Sequence, residues 1–303
     1  MQGYGAVANA NLPRCERLMS REQPMGKTDE PIKASTAAYR QGIQSLAPWR
    51  IQLRVVDALV YRELKTRVSQ VKFGFLGVLI QPLLVLSVFL LLFSFLRVRG
   101  GDLPLDIGLF LGSGIVLFTL FTEIALRSLN AMDANEALFF YRPVKPVDTV
   151  IARAIVESGL YALIMIIIVC GIWAIREEVI ISSLAQVVAS FILLALTSLG
   201  VGLALAVAGH RYPVIKQIVP IFIRPLWFTS GVFFSFRGIP QQFRPFLSWN
   251  PILQAIELTR NAFSQAYVLD PSISMGYLAY CSLISLAFGL GVYMNNEKLL
   301  LKR

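Results

Sequence analysis

The sequence predicts an all-α integral membrane protein with six transmembrane helices, an N-terminal amphipathic interface helix, and a re-entrant helical hairpin on the outer side between the fifth and sixth spans. Three observations predict it. The run Phe73–Leu96 contains no charged side chain and as a helix would be about 36 Å long, enough to cross a hydrocarbon core of about 30 Å. With 56% hydrophobic residues in a chain of 303 and a mean hydropathy of +0.64, too little polar surface is left to cover a soluble globule of this size. Finally, the basic residues gather on one set of connections, as the positive-inside bias requires of a polytopic protein.

The formal charge of +10 is therefore not a nucleic-acid signature. Twelve of the 28 Lys and Arg precede residue 73, and most of the rest flank apolar runs. Cys15, Cys170 and Cys281 are scattered and form neither a metal spacing nor a disulfide framework. A single histidine, His210, leaves little room for His-based chemistry.

Residues 1–47 are polar and aperiodic, with prolines at 13, 24 and 31, and read as a disordered cytoplasmic tail. No apolar core follows the early basic residues, so no signal peptide is expected. Gly26-Lys27-Thr28 has Arg21 where a phosphate-binding loop needs its first glycine. Residues 48–72 read as the interface helix. Trp49, Leu53, Val56, Val60, Leu64 and Val71 recur at helical spacing, while Arg54, Tyr61, Lys65 and Lys72 fall elsewhere on the wheel. Its cations either bind anionic headgroups or receive an acidic substrate.

Residues 73–303 hold the six spans. After Phe73–Leu96 come Leu105–Leu126, Ala154–Ile175, Ser183–Ala208, Val214–Phe236 and Ile273–Met294. Pro82 is tolerated within the first where neighbours satisfy the freed carbonyl. Arg127, Arg142, Lys145, Arg153, Arg211, Lys216, Lys298, Lys302 and Arg303 lie on the side of the basic flank, against Arg97, Arg99, Arg176, Arg237, Arg244 and Arg260 on the other. Both termini are thus expected in the cytoplasm. Ser198, Gly202 and Ala206 in the fourth span, and Cys281, Ser285 and Gly289 in the sixth, repeat every four residues and are expected to let helices pack closely.

Two connections stand out. Between the second and third spans a short helical pattern ends in Leu138-Phe139-Phe140-Tyr141 and is broken by Pro143 and Pro146. Such an aromatic cluster is either a protein dock or folds back on the bundle. After the fifth span, Asn250 caps a helix with Pro251 at its first position. Two helices, about Pro240–Ser248 and Pro251–Tyr267, are too short to span and are expected to dip into the outer leaflet and return. Phe222, Trp227, Phe228, Phe233, Phe234, Phe236 and Trp249 cluster in and after the fifth span, fitting either sugar stacking or core packing. Arg224, near mid-depth between Pro220 and Pro225, needs a cavity or a partner. Glu123, Glu157 and Asp106 lie near predicted helix ends, where carboxylates are unremarkable, so catalysis is not expected.

Arg62-Glu63-Leu64-Lys65-Thr66-Arg67, Gln81-Pro82, Tyr141-Arg142-Pro143-Val144-Lys145-Pro146, residues 230–234 (SGVFF) and residues 249–263 (WNPILQAIELTRNAF) resemble the membrane subunits of type-2 ABC exporters, specifically the capsular polysaccharide export permeases of Gram-negative bacteria. The resemblance covers about residues 49–303; Val68-Ser69-Gln70 depart from a commoner Tyr-Gly. It implies a homodimer in the inner membrane bound to two copies of a separate cytoplasmic ATPase, which holds the ATP and Mg, so that this chain carries no cofactor. Leu138, Phe139, Phe140, Tyr141 and Arg142 would form the ATPase dock. Arg54, Arg62, Lys65, Arg224, Trp227, Phe228, Phe233 and Trp249 would line the path of a lipid-linked, acidic capsular polysaccharide. Periplasmic and outer-membrane export proteins are implied as further partners, and nucleic acid is not. Exporters of O-antigen or teichoic-acid type glycans, of lipid or of drugs share the architecture.

Overall fold

The computed structural model describes residues 48–69, 75–95, 105–139, 144–176, 181–264 and 266–300. All regular structure among them is helical. The chain divides into two compact units, Met1–Gln52 and Leu53–Arg303. Of the first, only the opening turn of α1 (Pro48–Ser69) is described, with Arg50 over the Trp49 ring. The second contains the rest of α1 and then α2 (Phe75–Phe95), α3 (Ile107–Leu129), α4 (Ala131–Ala134), α5 (Pro146–Arg176), α6 (Leu184–Arg211), α7 (Ile215–Thr229), α8 (Arg244–Leu247), α9 (Pro251–Phe263) and α10 (Met275–Leu300).

Among the described residues four helices are long and apolar enough to cross a membrane: Ile107–Leu129, Pro146–Ile175, Leu184–Arg211 and Met275–Glu297. They match the second, third, fourth and sixth predicted spans. The first predicted span forms α2, with the shorter apolar stretch Leu79–Phe93 inside it. The fifth differs from expectation. Its helix stops at Thr229 after 15 residues, about 22 Å, because Gly231 turns the chain with φ of 71°, a conformation open to glycine and costly for other residues. Residues 232–235, expected as the last turns of a span, form a loop instead, and Phe236 opens a 3-10 turn, Phe236–Gly238.

The core is built on α3, which packs against α2, α5, α6 and α9 and has Leu111, Val116, Leu117, Leu120 and Ile124 fully buried. Small residues set the distances. A Cβ on Gly114 would lie 3.0 Å from the Val232 carbonyl oxygen, so that glycine admits the loop to the core. The α6–α10 contact is closer still, since a Cβ on Gly200 would fall 2.3 Å from the Ser285 carbonyl carbon. Hydroxyls bind the same seam: Ser282 donates to the Leu193 carbonyl at 2.8 Å and Ser285 to that of Thr197 at 2.8 Å. The predicted repeat on α6 serves another neighbour, as Gly202 meets Ser128 of α3. On α10, Ser285 and Gly289 do meet α6.

The region expected to dip and return holds the short α8 and the longer α9. Asn250 caps α9 by accepting from the Ile252 amide at 3.0 Å, with Pro251 at the first position as predicted. Yet α9 is buried along nearly its whole length, against α3, α6 and α10. In its last turn is Arg260, counted from sequence among the cations of the outer side and here 0% exposed. Its guanidinium donates to the carbonyls of Gly231 (2.8 Å), Val232 (2.9 Å), Phe234 (3.1 Å) and Phe110 (3.0 Å), and to Glu257 (3.1 Å). It also stacks on the Phe110 ring, 3.5 Å from the centroid. Glu257 in turn accepts from the Phe236 amide at 3.2 Å and the Tyr267 hydroxyl at 2.9 Å. The residues following α7 thus owe their shape to one side chain on another helix.

Removing one partner of a buried, hydrogen-bonded ion pair leaves a charge uncompensated and costs about 3–5 kcal/mol. Arg260→Met is expected to lose stability of that order, and Arg260→Lys to recover only part of it because lysine lacks the planar fork. Thermal unfolding in detergent, read by tryptophan fluorescence, checks this; an Arg260→Met protein that melts with the parent refutes it.

Candidate functional site

Two regions of the second unit gather the polar and aromatic residues that packing alone does not explain. The first lies where α1 meets the bundle. Leu59 is buried and Val60 packs on Val156 and Leu160 of α5, whereas Leu53 and Leu64 of the predicted apolar stripe are exposed. Charge makes the other contacts. Arg67 reaches Glu123 of α3 at 3.3 Å and Glu157 of α5 at 3.4 Å, and Arg127 of α3 pairs with the same two carboxylates at 2.9 and 2.8 Å. Arg153 of α5 pairs with Glu63 and donates to the Arg127 carbonyl, and Arg62 donates to Asn135.

Glu157 departs from its sequence reading. Helix α5 begins at Pro146 rather than near Ala154, which carries Glu157 three turns inward, where it is 1% exposed. A buried carboxylate of this kind requires cations, and two arginines supply them. Of the three α1 cations assigned to a substrate path, Arg54 and Lys65 are exposed, while Arg62 is committed to Asn135.

The connection between α3 and α5 is compact. After α4 comes a single 3-10 turn, Glu136–Leu138, and Asn135 closes it by donating to the Ala131 carbonyl at 2.8 Å. Leu138 and Phe139 are half-buried, and Phe139 packs on the cluster of Met132, Val150, Leu203, Val207 and Tyr293. That side chain folds back on the bundle. Phe140, Tyr141 and Arg142 lie outside the described residues. Asp133 of α4 faces His210 at 3.0 Å and accepts from Lys216. Burial works against ionisation of its carboxyl, but the Lys216 and His210 contacts outweigh this and hold it below the usual range.

The second region is the end of α7. Trp227 lies 5.8 Å from Phe89, 6.1 Å from Phe118 and 5.4 Å from Phe233 between ring centroids, and Phe228 is 6.2 Å from Phe233. The Trp227 indole nitrogen is buried without a hydrogen-bond partner among the described residues. Phe222 and Phe228 remain 71% and 66% exposed, and Arg224, one turn before Phe228, is exposed as well. The structure thus brings Trp227, Phe228 and Phe233 together, with Arg224 on the same helix. Trp249, 77% exposed, makes no ring contact with them, and its carbonyl accepts from the Tyr277 hydroxyl at 3.0 Å.

Sequence reasoning missed Arg260, Glu257 and the Arg67–Glu157 pairing. For the first two a signal was present: Glu257 and Arg260 stand at i and i+3 within an otherwise apolar helix, the spacing of an internal ion pair. Among the described residues no group of His, Cys, Asp and Glu is arranged to hold a metal ion.

The sequence pattern of the ABC-2 type transporter family matches residues 54–264, a stretch that runs from α1 through α9. The chain is 35% identical over 254 residues to the polysialic acid transport protein KpsM of Escherichia coli, covering 84% of this chain and 97% of that protein. It is similar to the capsule polysaccharide export inner-membrane proteins CtrC of Neisseria meningitidis, at 27% over 251 residues (82% and 93%), and BexB of Haemophilus influenzae, at 27% over 259 residues (84% and 94%). With a family pattern spanning most of the chain and a relative matched over nearly its full length, the chain belongs to the ABC-2 type transporter membrane family.

Proposed function

We propose that this chain is the permease subunit of an ATP-driven exporter that moves a lipid-linked, acidic capsular polysaccharide across the bacterial inner membrane. The observation that carries the reading is the similarity, over more than four fifths of this chain, to KpsM, CtrC and BexB, each named for polysialic acid or capsule polysaccharide transport. The exporter is a homodimer with two copies of a cytoplasmic ATPase that binds ATP and Mg; periplasmic and outer-membrane capsule export proteins receive the polymer. Residues 1–47 form a cytoplasmic tail, 48–72 the interface helix, and 73–303 a transmembrane domain of six spans with both termini cytoplasmic. In that arrangement α2 and the short α7 with its following loop serve as first and fifth spans, and residues 238–267 lie at the periplasmic side.

Residues 138–142 dock the ATPase through Leu138, Phe140, Tyr141 and Arg142, with Phe139 anchoring the segment on the bundle. Arg54, Arg62 and Lys65 receive the acidic substrate, and Arg224, Trp227, Phe228, Phe233 and Trp249 line its path. Support comes from the exposure of Arg224, Phe222 and Phe228 along one helix. A sugar stacks on rings, and arginine grips phosphate or carboxylate through paired hydrogen bonds.

Deleting the gene from its host is expected to strip the surface of capsular polymer and leave lipid-linked polymer inside the cell, measured by immunoblot of fractionated cells. Unaltered surface polymer would refute the function. At residue level, Arg224→Gln should assemble normally yet depress export about tenfold, the loss of one charge-assisted contact of roughly 1.5 kcal/mol, while Arg224→Lys retains much of it. Normal export by a well-assembled Arg224→Gln protein removes Arg224 from the path. For topology, with Cys15, Cys170 and Cys281 replaced by serine, Gln241→Cys and Val268→Cys should both react in intact spheroplasts with a membrane-impermeant maleimide. Protection of either until the membrane is broken would place that segment elsewhere.

A further inference from the structure

The short segment between α3 and α5 carries two polar side chains committed to different elements. Asn135 accepts from Arg62 of α1. Asp133, two residues earlier, faces His210 in the last turn of α6 and accepts from Lys216 in the first turn of α7. It therefore holds both sides of the bend at Tyr212, Pro213 and Val214, where α6 gives way to α7.

At this end α7 has few other restraints. Val214 makes no side-chain cap, none of the helix's residues is fully buried, and among the described residues Lys216–Asp133 is the ion pair joining its first turn to another element. At its far end α7 is seated by Trp227 among Phe89, Phe118 and Phe233. Between the two, Pro220 and Pro225 remove backbone donors and weaken the hydrogen-bond ladder, the usual cause of a helix that bends. A short helix gripped at both ends by other elements passes a displacement of one end to the side chains along it.

We propose that Asp133 is a positioning residue that relays movement of the α3–α5 segment to α7, and so to Arg224, Trp227 and Phe228. The relay rests on the reading of residues 138–142 as the ATPase dock. A half-exposed pair of this kind adds little to static stability, so its effect is on where the head of α7 sits rather than on whether the bundle folds.

The test uses the full chain with its ATPase in lipid nanodiscs, with Cys15, Cys170 and Cys281 replaced by serine and Phe222→Cys as a reporter on the exposed face of α7. Its labelling rate by a fluorescent maleimide is measured without nucleotide and with ATP on a hydrolysis-deficient ATPase. ATP is expected to change the rate about fivefold or more, the lower end of ordinary coupling between sites. Asp133→Asn and Asp133→Ala should abolish the change while the ATPase still co-purifies, Asp133→Glu should keep it, and Asp133→Lys combined with Lys216→Asp should restore it. An ATP response that persists in Asp133→Ala, that is absent from the parent, or that the assembled double exchange fails to restore overturns the relay and leaves the dock standing. Loss of ATPase binding in Asp133→Asn overturns it too, by making Asp133 part of the dock. An ATPase that never binds the parent chain overturns dock and relay together.

Discussion

A guanidinium without exposed surface holds together the part of this bundle that is not helix. Backbone that leaves the helical ladder inside a membrane protein must find partners within the protein, because lipid offers none. The carbonyls of Gly231, Val232 and Phe234 find theirs in Arg260, whose charge is balanced by Glu257 and whose face is covered by Phe110. The length of α7 follows from this. A fifth helix continued to residue 236 would carry those carbonyls into its own ladder and leave Arg260 buried with too few acceptors, a more costly state than a short helix and a satisfied loop.

The opposite end of the same helices is organised differently. Six side chains, Arg67, Arg127, Arg153, Glu63, Glu123 and Glu157, make a charge-balanced set that ties α1 to α3 and α5. Most keep some contact with solvent, and only Glu157 is deeply buried. Pairs that remain partly wet are weaker than buried ones and can be exchanged at modest cost. One end of the molecule is therefore fixed by a single dehydrated node and the other by a set of replaceable contacts.

This contrast also accounts for what can be read from sequence. Helices α3, α5, α6 and α10 are legible because an uninterrupted apolar run of spanning length is rare outside a membrane, and the start of α9 because Asn250-Pro251 states its own cap. The end of α7 is not, since Phe233, Phe234 and Phe236 are as apolar as the helix before them and hydropathy cannot see that Gly231 adopts a positive φ. The burial of Arg260 is not legible because a charge-counting rule assigns a residue to a side without asking what it touches. Glu157 reads as lying near a helix end because Pro143 and Pro146 look like breakers, whereas Pro146 starts α5, the helix position where a missing amide costs nothing. Trp227, Phe228 and Phe233 emerge as neighbours from composition alone, but the exposure that separates Phe228 from Trp227 belongs to the fold.

The distances within the charged set indicate which of its elements is free to leave. Arg127 lies at 2.9 and 2.8 Å from Glu123 and Glu157, and Arg67 at 3.3 and 3.4 Å from the same two groups. If α1 withdrew, both carboxylates would keep their shorter contact, and Arg67 would regain water along with the rest of its helix. If α5 moved instead, Glu157 would leave both of its arginines, and if α3 moved, its seam with α6 would have to slide past Gly202, where a Cβ would lie 2.6 Å from the Ser128 hydroxyl. The contacts of α1 and of the head of α7 are thus the more exchangeable ones, around a core of α3, α6, α9 and α10 in which close glycine contacts and the buried Arg260 fix the packing.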